Sequence, residues 1–159
     1  MYTLAIPNQI PLSQNRRHYP TNIPGVTRMD NYRTILSTAF NARYPAHVPL
    51  TNLLYGKVFW IHRVGDGSFE RRDADNFSKP LWDALNALVY NDDRQIRLRQ
   101  TAKLQHGENN SLTVNVDDME DVIYEDFLNF HLDAANTDNN WLYIELGEFN
   151  YSHVKFGER

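Results

Sequence analysis

Alternating and helical-period patterns divide the chain into interleaved strands and helices. Tyr2, Leu4 and Ile6 alternate with their neighbours, as an opening strand does. Residues 7–24 are rich in Pro, Asn and Gln and carry Arg16, Arg17 and His18, which reads as a long basic loop. Asp30 can cap a helix over 31–42, in which Tyr32, Ile35, Leu36, Ala39 and Phe40 share one face. Residues 53–63 alternate again, with Val58, Trp60 and His62 against Lys57, Phe59, Ile61 and Arg63. Gly65-Asp66-Gly67 marks a turn, and the polar residues 71–75 read as extended. From Asn76 the period is helical. Phe77, Leu81, Leu85 and Leu88 lie on one side, Pro80 lies near the start, and Asn91-Asp92-Asp93 forms the stop.

Residues 94–104 form the cleanest strand pattern. Ile96, Leu98, Gln100, Ala102 and Leu104 fall on one face, and Arg97, Arg99, Thr101 and Lys103 on the other. A turn at 107–110 leads into a further strand at 112–116. Asp118 can then cap a helix over 119–132 with Met119, Val122, Ile123, Phe127 and Phe130 apolar. Trp141 to Glu145, with Phe149 beyond, reads as the last strand. Helices and strands alternate, but several strands follow one another by short turns. The pattern predicts one α+β domain over residues 1–159, a mixed sheet with two to three helices.

Composition narrows the function. The 159 residues suffice for one domain with a real core. The absence of cysteine removes disulfide scaffolds, cysteine zinc sites and thiol nucleophiles. The six histidines show no zinc spacing, and His62 reads as a core residue. No apolar run approaches the ~18 residues of a membrane span, and Met1 to Gln14 does not read as a signal peptide, so a cytoplasmic protein with no membrane partner is expected. The net charge of −4 argues against a nucleic-acid partner until it is divided. Residues 1–104 carry 14 Lys+Arg against 8 Asp+Glu, and residues 105–159 carry 2 against 12. A basic body with net charge +6 is thus followed by an acidic part of −10 that completes the sheet. The body suits a polyanion.

The acids within the basic body carry the chemistry. In an extended segment Asp73 and Asp75 point to one face, with the Asn76 amide beside them. Lys79 lies four residues after Asp75, on the same side of a helix begun there, and Asp83 continues the stripe. Asp92 and Asp93 stand at the far end, where one of the two can face the first pair. Carboxylates suit a hard cation such as Mg²⁺, which makes water nucleophilic and neutralises phosphate charge, and a nearby lysine stabilises developing negative charge. A helix cap at Asp75 and a surface ion pair between Lys79 and Asp83 remain the other way to read these residues.

The stretch Asp73-Ala74-Asp75-Asn76-Phe77-Ser78-Lys79-Pro80-Leu81-Trp82-Asp83-Ala84-Leu85, followed by Asp92-Asp93, resembles the signature of RusA-type Holliday junction resolvases. The match is clear over residues 71–104. The resemblance implies a RusA-like fold and a homodimeric endodeoxyribonuclease, dependent on Mg²⁺ with Mn²⁺ as an alternative. Such an enzyme nicks two strands of a four-way DNA junction symmetrically in recombination and repair. It implies Asp73, Asp75 and Asp93 as metal carboxylates and catalytic residues, Lys79 as the catalytic lysine and Asp92 as a further ligand. Family members often carry Gly shortly before the paired aspartates, where this chain has Asn86-Ala87. The acidic segment over 105–140 also looks longer than the family core requires.

Arg16, Arg17, Arg71, Arg72, Arg97, Arg99 and Lys103 are the candidate phosphate contacts, since backbone contacts supply affinity for branched DNA. Phe69 is open as a wedge between base pairs, whereas Phe77 fits the core stripe. The competing expectation is a non-catalytic or autoinhibited junction-binding protein of the same fold, whose acidic residues Asp117, Asp118, Glu120 and Asp121 occupy the DNA face or bind a protein partner. A phosphatase or nucleotidyl-sugar enzyme is disfavoured, because Glu70-Arg71-Arg72 replaces the usual apolar strand before the motif.

Overall fold

In a computed structural model, which describes residues 1–63, 73–106, 119–133 and 135–154, the first strand is β1 (Tyr2–Pro7). It is followed by α1 (Arg28–Arg43), β2 (Leu54–Arg63), α2 (Ala74–Leu85) and β3 (Ile96–His106). Then come α3 (Asp121–Leu132) and β4 (Asn140–Glu148). The strands form one mixed sheet in the order β1-β4-β2-β3, antiparallel except for the parallel β2/β3 pair. This is the α+β class that the sequence pattern predicts. The expected turn at 65–67, the extended residues 71 and 72, the strand at 112–116 and the cap at Asp118 lie outside the described residues.

The last strand enters the middle of the sheet. β4 is buried over its length to Gly147, which explains why both of its faces are apolar or internally paired. On one face Leu4, Val58, Trp60, Leu142, Ile144 and Leu146 pack against α1 and α2. On the other, Ile61, Trp141 and Tyr143 pack against Ile123 and Phe130 of α3. Buried Ile123 and Phe130, with Phe127 half-buried, define the inner stripe of α3; Val122, expected in it, is exposed. His62 is fully buried and shares the Asn140 side-chain oxygen with Trp60, at 3.0 and 2.9 Å. It is a core residue, as expected.

The boundaries of α1 and α2 depart from the pattern. α1 begins earlier, and Thr27 rather than Asp30 is its cap. The Thr27 hydroxyl accepts from the Asp30 N–H at 3.2 Å, and the Asp30 carboxylate accepts from the Thr27 N–H at 2.9 Å. This reciprocal arrangement satisfies two donors where a lone Asp30 cap would satisfy one. α2 also begins earlier, at Ala74, which makes Asp73 its cap and places Asp75 in its first turn. The extended Asp73–Asp75 geometry is therefore replaced by a helical one, and Pro80 lies inside the helix, opposite the Asn76 carbonyl that it cannot bond.

α2 then stops at Leu85 instead of running on to Asn91. Asn86 is extended, and Ala87 takes φ +65°, a left-handed conformation that favours glycine. The Ala87 N–H donates to the Tyr90 carbonyl at 2.7 Å. The Tyr90 hydroxyl donates to the Trp82 carbonyl at 2.5 Å, a second bond on an acceptor that also takes the Asn86 N–H at 3.1 Å.

Candidate active site

α2 carries the motif and is locked to the sheet beside it. Phe77, Leu81, Trp82 and Leu85 are buried, which leaves Asp73, Asp75 and Lys79 exposed on the other side. The Trp82 indole N–H donates to the Ser78 hydroxyl at 3.1 Å, and Ser78 lies 3.1 Å from the Thr101 hydroxyl on β3. Gly56 on β2 is the floor on which the Trp82 ring rests. A Cβ there would come within 2.4 Å of the ring.

The two motif carboxylates at the helix start are little used by the protein. The Asp73 side chain makes no capping hydrogen bond, although its residue occupies the cap, and among the described residues it meets only the Asn76 amide at 3.4 Å. Among the described residues Asp75 has no hydrogen-bond or ion-pair partner. One turn on, Lys79 is bonded to Asp83 at 3.0 Å, and Arg17 from the N-terminal loop reaches the other Asp83 oxygen at 3.6 Å. The i,i+4 pair is thus real, and Asp83 anchors two cations.

The second acidic pair divides. Both Asp92 oxygens are held by the Arg94 guanidinium, the shortest contact being 2.6 Å, and one also accepts the Arg94 backbone N–H. These hydrogen bonds, with the Arg94 charge, hold the Asp92 carboxyl well below the usual carboxylate range. Asp92 thereby caps the short 3-10 turn Asp93–Gln95. Asp93 is less engaged: its carboxylate is 3.9 Å from the Arg99 guanidinium, which also donates to its carbonyl at 3.3 Å, and it lies beside Asp92 and Arg94. The Tyr90 phenol feels Asp83, Asp93 and Arg99 together, which brings the start of β3 to the Asp83 side of α2. Burial is the main cause of its raised pKa, and the two carboxylates add to it.

Among the described residues no three of His, Asp and Glu draw together as a metal cluster. The donors at the start of α2 nonetheless suit a hard divalent cation. They are two carboxylates that no cation pairs with among the described residues, and Mg²⁺ is commonly held by one or two carboxylates with waters and substrate phosphates.

The candidate phosphate contacts lie in different settings. Arg71 and Arg72, like Phe69, lie outside the described residues. Phe77 is buried edge-on to Trp60, in the core as expected. Arg16 and Arg97 are exposed, whereas Arg17 is engaged with Asp83 and His18. The arginine face of β3 is less regular than alternation predicts, because the register shifts by one residue between Leu54 and Tyr55. Ile96 consequently packs in the core under α1 and α2, while Leu104 packs on the opposite side with α3. Arg99, Thr101 and Lys103 pair with Gly56, Val58 and Trp60, on the side of the sheet that carries α2.

Of the acidic residues expected to shield DNA, Asp117 and Asp118 lie outside the described residues. Glu120 instead ties three elements together. It accepts from Thr3 and Tyr44 and pairs with Arg43 at 2.6 Å. Burial works to raise its pKa, but these hydrogen bonds and the Arg43 charge outweigh it and leave the group below its ordinary value. Arg28, which no motif in the sequence marks, is exposed at the start of α1 and stacks on Tyr19 at 5.7 Å. Its signal was only its place next to the basic loop.

No helix among the described residues is long and apolar enough to cross a membrane. No curated protein matches the chain. The family model for endodeoxyribonuclease RusA matches residues 11–117, a span that includes most of the basic loop and all of α1, β2, α2 and β3. The chain therefore belongs to the RusA family of Holliday junction-resolving endodeoxyribonucleases.

Proposed function

We propose that this chain is a Mg²⁺-dependent, structure-selective endodeoxyribonuclease that resolves four-way DNA junctions in the cytoplasm. It acts as a homodimer, because two incisions related by symmetry need two sites. One domain spans residues 1–159: the body 1–104 carries the chemistry, and the part 105–159 supplies the central strand. The observation that carries this reading is the pair Asp73 and Asp75 at the start of α2, which no cation pairs with among the described residues, one turn before a lysine held in place by Asp83.

Asp73 and Asp75 would hold the cation, with Asp93 as the third carboxylate from the segment that leads into β3. Asp92 is the weaker ligand, since Arg94 already occupies both of its oxygens. When bound, Mg²⁺, or Mn²⁺ in its place, makes a water nucleophilic and neutralises charge on the scissile phosphate. Lys79 places its ammonium where negative charge builds on the phosphorane, and Asp83 limits the positions that ammonium can take. Arg16, Arg17, Arg71, Arg72, Arg97, Arg99 and Lys103 supply backbone contacts that orient the junction without reading sequence.

Four-way, forked and linear duplex DNA should be compared as substrates in Mg²⁺, with Asp75→Asn as control. The reading predicts paired nicks in the four-way junction, little cleavage of linear duplex, and a variant that binds the junction without cutting it. Equal cleavage of linear duplex would overturn it. So would junction binding without cleavage by the intact protein, the behaviour of a non-catalytic junction-binding protein.

A further inference from the structure

A second concave site lies away from the carboxylates, between the N-terminal loop and α1. It has a volume of about 430 Å³, within the range of small-ligand sites. Arg16 and Arg28 stand at it, and among the described residues no acid lines it. Asn22 and Asn31 offer amide donors and acceptors, and Tyr32 and Ile35 form an apolar wall. The Tyr32 side chain is almost wholly buried. Its hydroxyl lies beside the Leu12 backbone without a hydrogen bond of good geometry.

The loop side is built in advance. Residues 17–28 close on themselves through Thr21 N–H to the Val26 carbonyl at 3.0 Å, with Gly25 in the left-handed region at φ +76°. The Arg28 N–H donates to the Tyr19 carbonyl at 2.8 Å and the Met29 N–H to the Arg17 carbonyl at 3.0 Å, so the loop is pinned to the start of α1. Arg17, next to Arg16 in the chain, is the residue that reaches Asp83 on α2. The cavity is therefore one residue removed from the network that holds Lys79.

We propose that this cavity receives one unstacked nucleotide of the bound DNA strand. Its phosphate lies between Arg16 and Arg28, and its base lies against Tyr32 and Ile35 with its edge toward the two asparagines. Paired arginine forks suit a phosphate, and an aromatic wall with flanking amides suits a base of any type. A simple anion site would have no need of the apolar wall. The identity of the strand rests on the proposed nuclease reading, but the test does not depend on cleavage.

The intact protein, without divalent ions, should be titrated with thymidine 5′-monophosphate, with thymidine and with inorganic phosphate, following backbone and side-chain amide resonances by NMR. The monophosphate should shift Asn22, Asn31 and Ile35 saturably at millimolar concentration. Thymidine and phosphate should each require about tenfold more. Arg28→Gln should weaken the monophosphate about tenfold with an otherwise unchanged spectrum, and Arg33→Gln, at an exposed cation of α1 that does not line the cavity, should not weaken it. The proposal is overturned if phosphate alone reproduces the shifts at the same concentration, or if the monophosphate leaves these residues unmoved. Nucleotide binding without junction cleavage would sink the proposed nuclease function and keep the cavity assignment. Cleavage without nucleotide binding would do the reverse.

Discussion

A single methyl group placed on β2 should disturb the catalytic helix from beneath. In Gly56→Ala the new Cβ would lie 2.4, 2.9 and 3.0 Å from three ring carbons of Trp82. Carbon atoms pack best at about 3.5–4.0 Å, so the ring must retreat by about 1 Å. It has little room, since Trp82 is buried and its N–H is fixed to Ser78, which bonds Thr101. The displacement therefore passes to α2 and to Asp73, Asp75 and Lys79 upon it. Overpacking of this kind costs about 1–3 kcal/mol, equivalent to about 2–12 °C in Tm for a chain of this size. A shift of about 1 Å in positioned groups costs about 10²-fold in rate. Urea unfolding and junction cleavage should both be measured, together with Trp82→Phe and the double variant. The smaller ring should recover part of both losses, giving a coupling energy above about 0.5 kcal/mol. Additive effects, or an alanine variant as stable and active as the parent, would refute the claim that Trp82 on Gly56 sets the position of α2.

Three further outcomes follow from other contacts. Asp83→Asn removes the anion that holds Lys79 at 3.0 Å and Arg17 at 3.6 Å, and kcat for junction cleavage should fall about tenfold or more with KM little changed; an equal rise in KM would contradict the positioning role. Ala87→Gly relieves a side chain at φ +65° and should stabilise the fold by about 0.5–1 kcal/mol in urea unfolding, whereas a loss would contradict the strain. Burial first, then the charges of His106 and Arg63, push the His131 pKa down to about 4 from 6.5, so the unfolded chain binds the extra proton between those values. Stability should therefore be fully present above about pH 6.5 and decline toward pH 4, by about 1–2 kcal/mol after allowance for partial exposure; His131→Leu should remove that part of the slope, and an unchanged slope would refute the assignment.

What the sequence revealed depended on the range of the interaction. The motif from Asp73 to Asp93 could be read because its residues sit on one helix and the turn after it. The Lys79–Asp83 pair follows from i,i+4 spacing alone. Arg17 on the same Asp83 could not be foreseen, because 66 positions separate them and only the packing of the basic loop on α2 brings them together. The shared face expected of Asp73 and Asp75 rests on strand geometry, but helix α2 starts one residue before Asp75 and rotates the pair. Alternation along β3 failed at one position, where a register shift of one residue moved Ile96 to the opposite face from Leu104. The missing family glycine was visible as Asn86-Ala87, and its cost became visible only as the positive φ of Ala87.

The acidic third was the least legible. Its charge suggested a solvated face or a shield over DNA. Glu120 is instead bonded to Arg43, Thr3 and Tyr44, and Glu145 lies buried in the sheet, where Tyr55, Tyr143 and Lys57 bond it at 2.6–2.9 Å. Burial would raise the Glu145 pKa, and these three donors outweigh it and leave the carboxyl below its ordinary value. A composition count cannot separate such internally paired anions from solvated ones, because both are carboxylates until their partners from distant elements are known.

The central claim is that Asp73, Asp75 and Asp93, with Lys79, form the cutting site of a metal-dependent nuclease. The most direct measurement is junction cleavage and junction affinity on the same four-way substrate for Asp73→Asn, Asp75→Asn, Asp93→Asn and Lys79→Gln, with and without Mg²⁺. The account predicts loss of cleavage by about 10²-fold or more in each variant and in the absence of the ion, with affinity held within about threefold. Cleavage that survives in the aspartate variants, or that proceeds undiminished without a divalent ion, would contradict it.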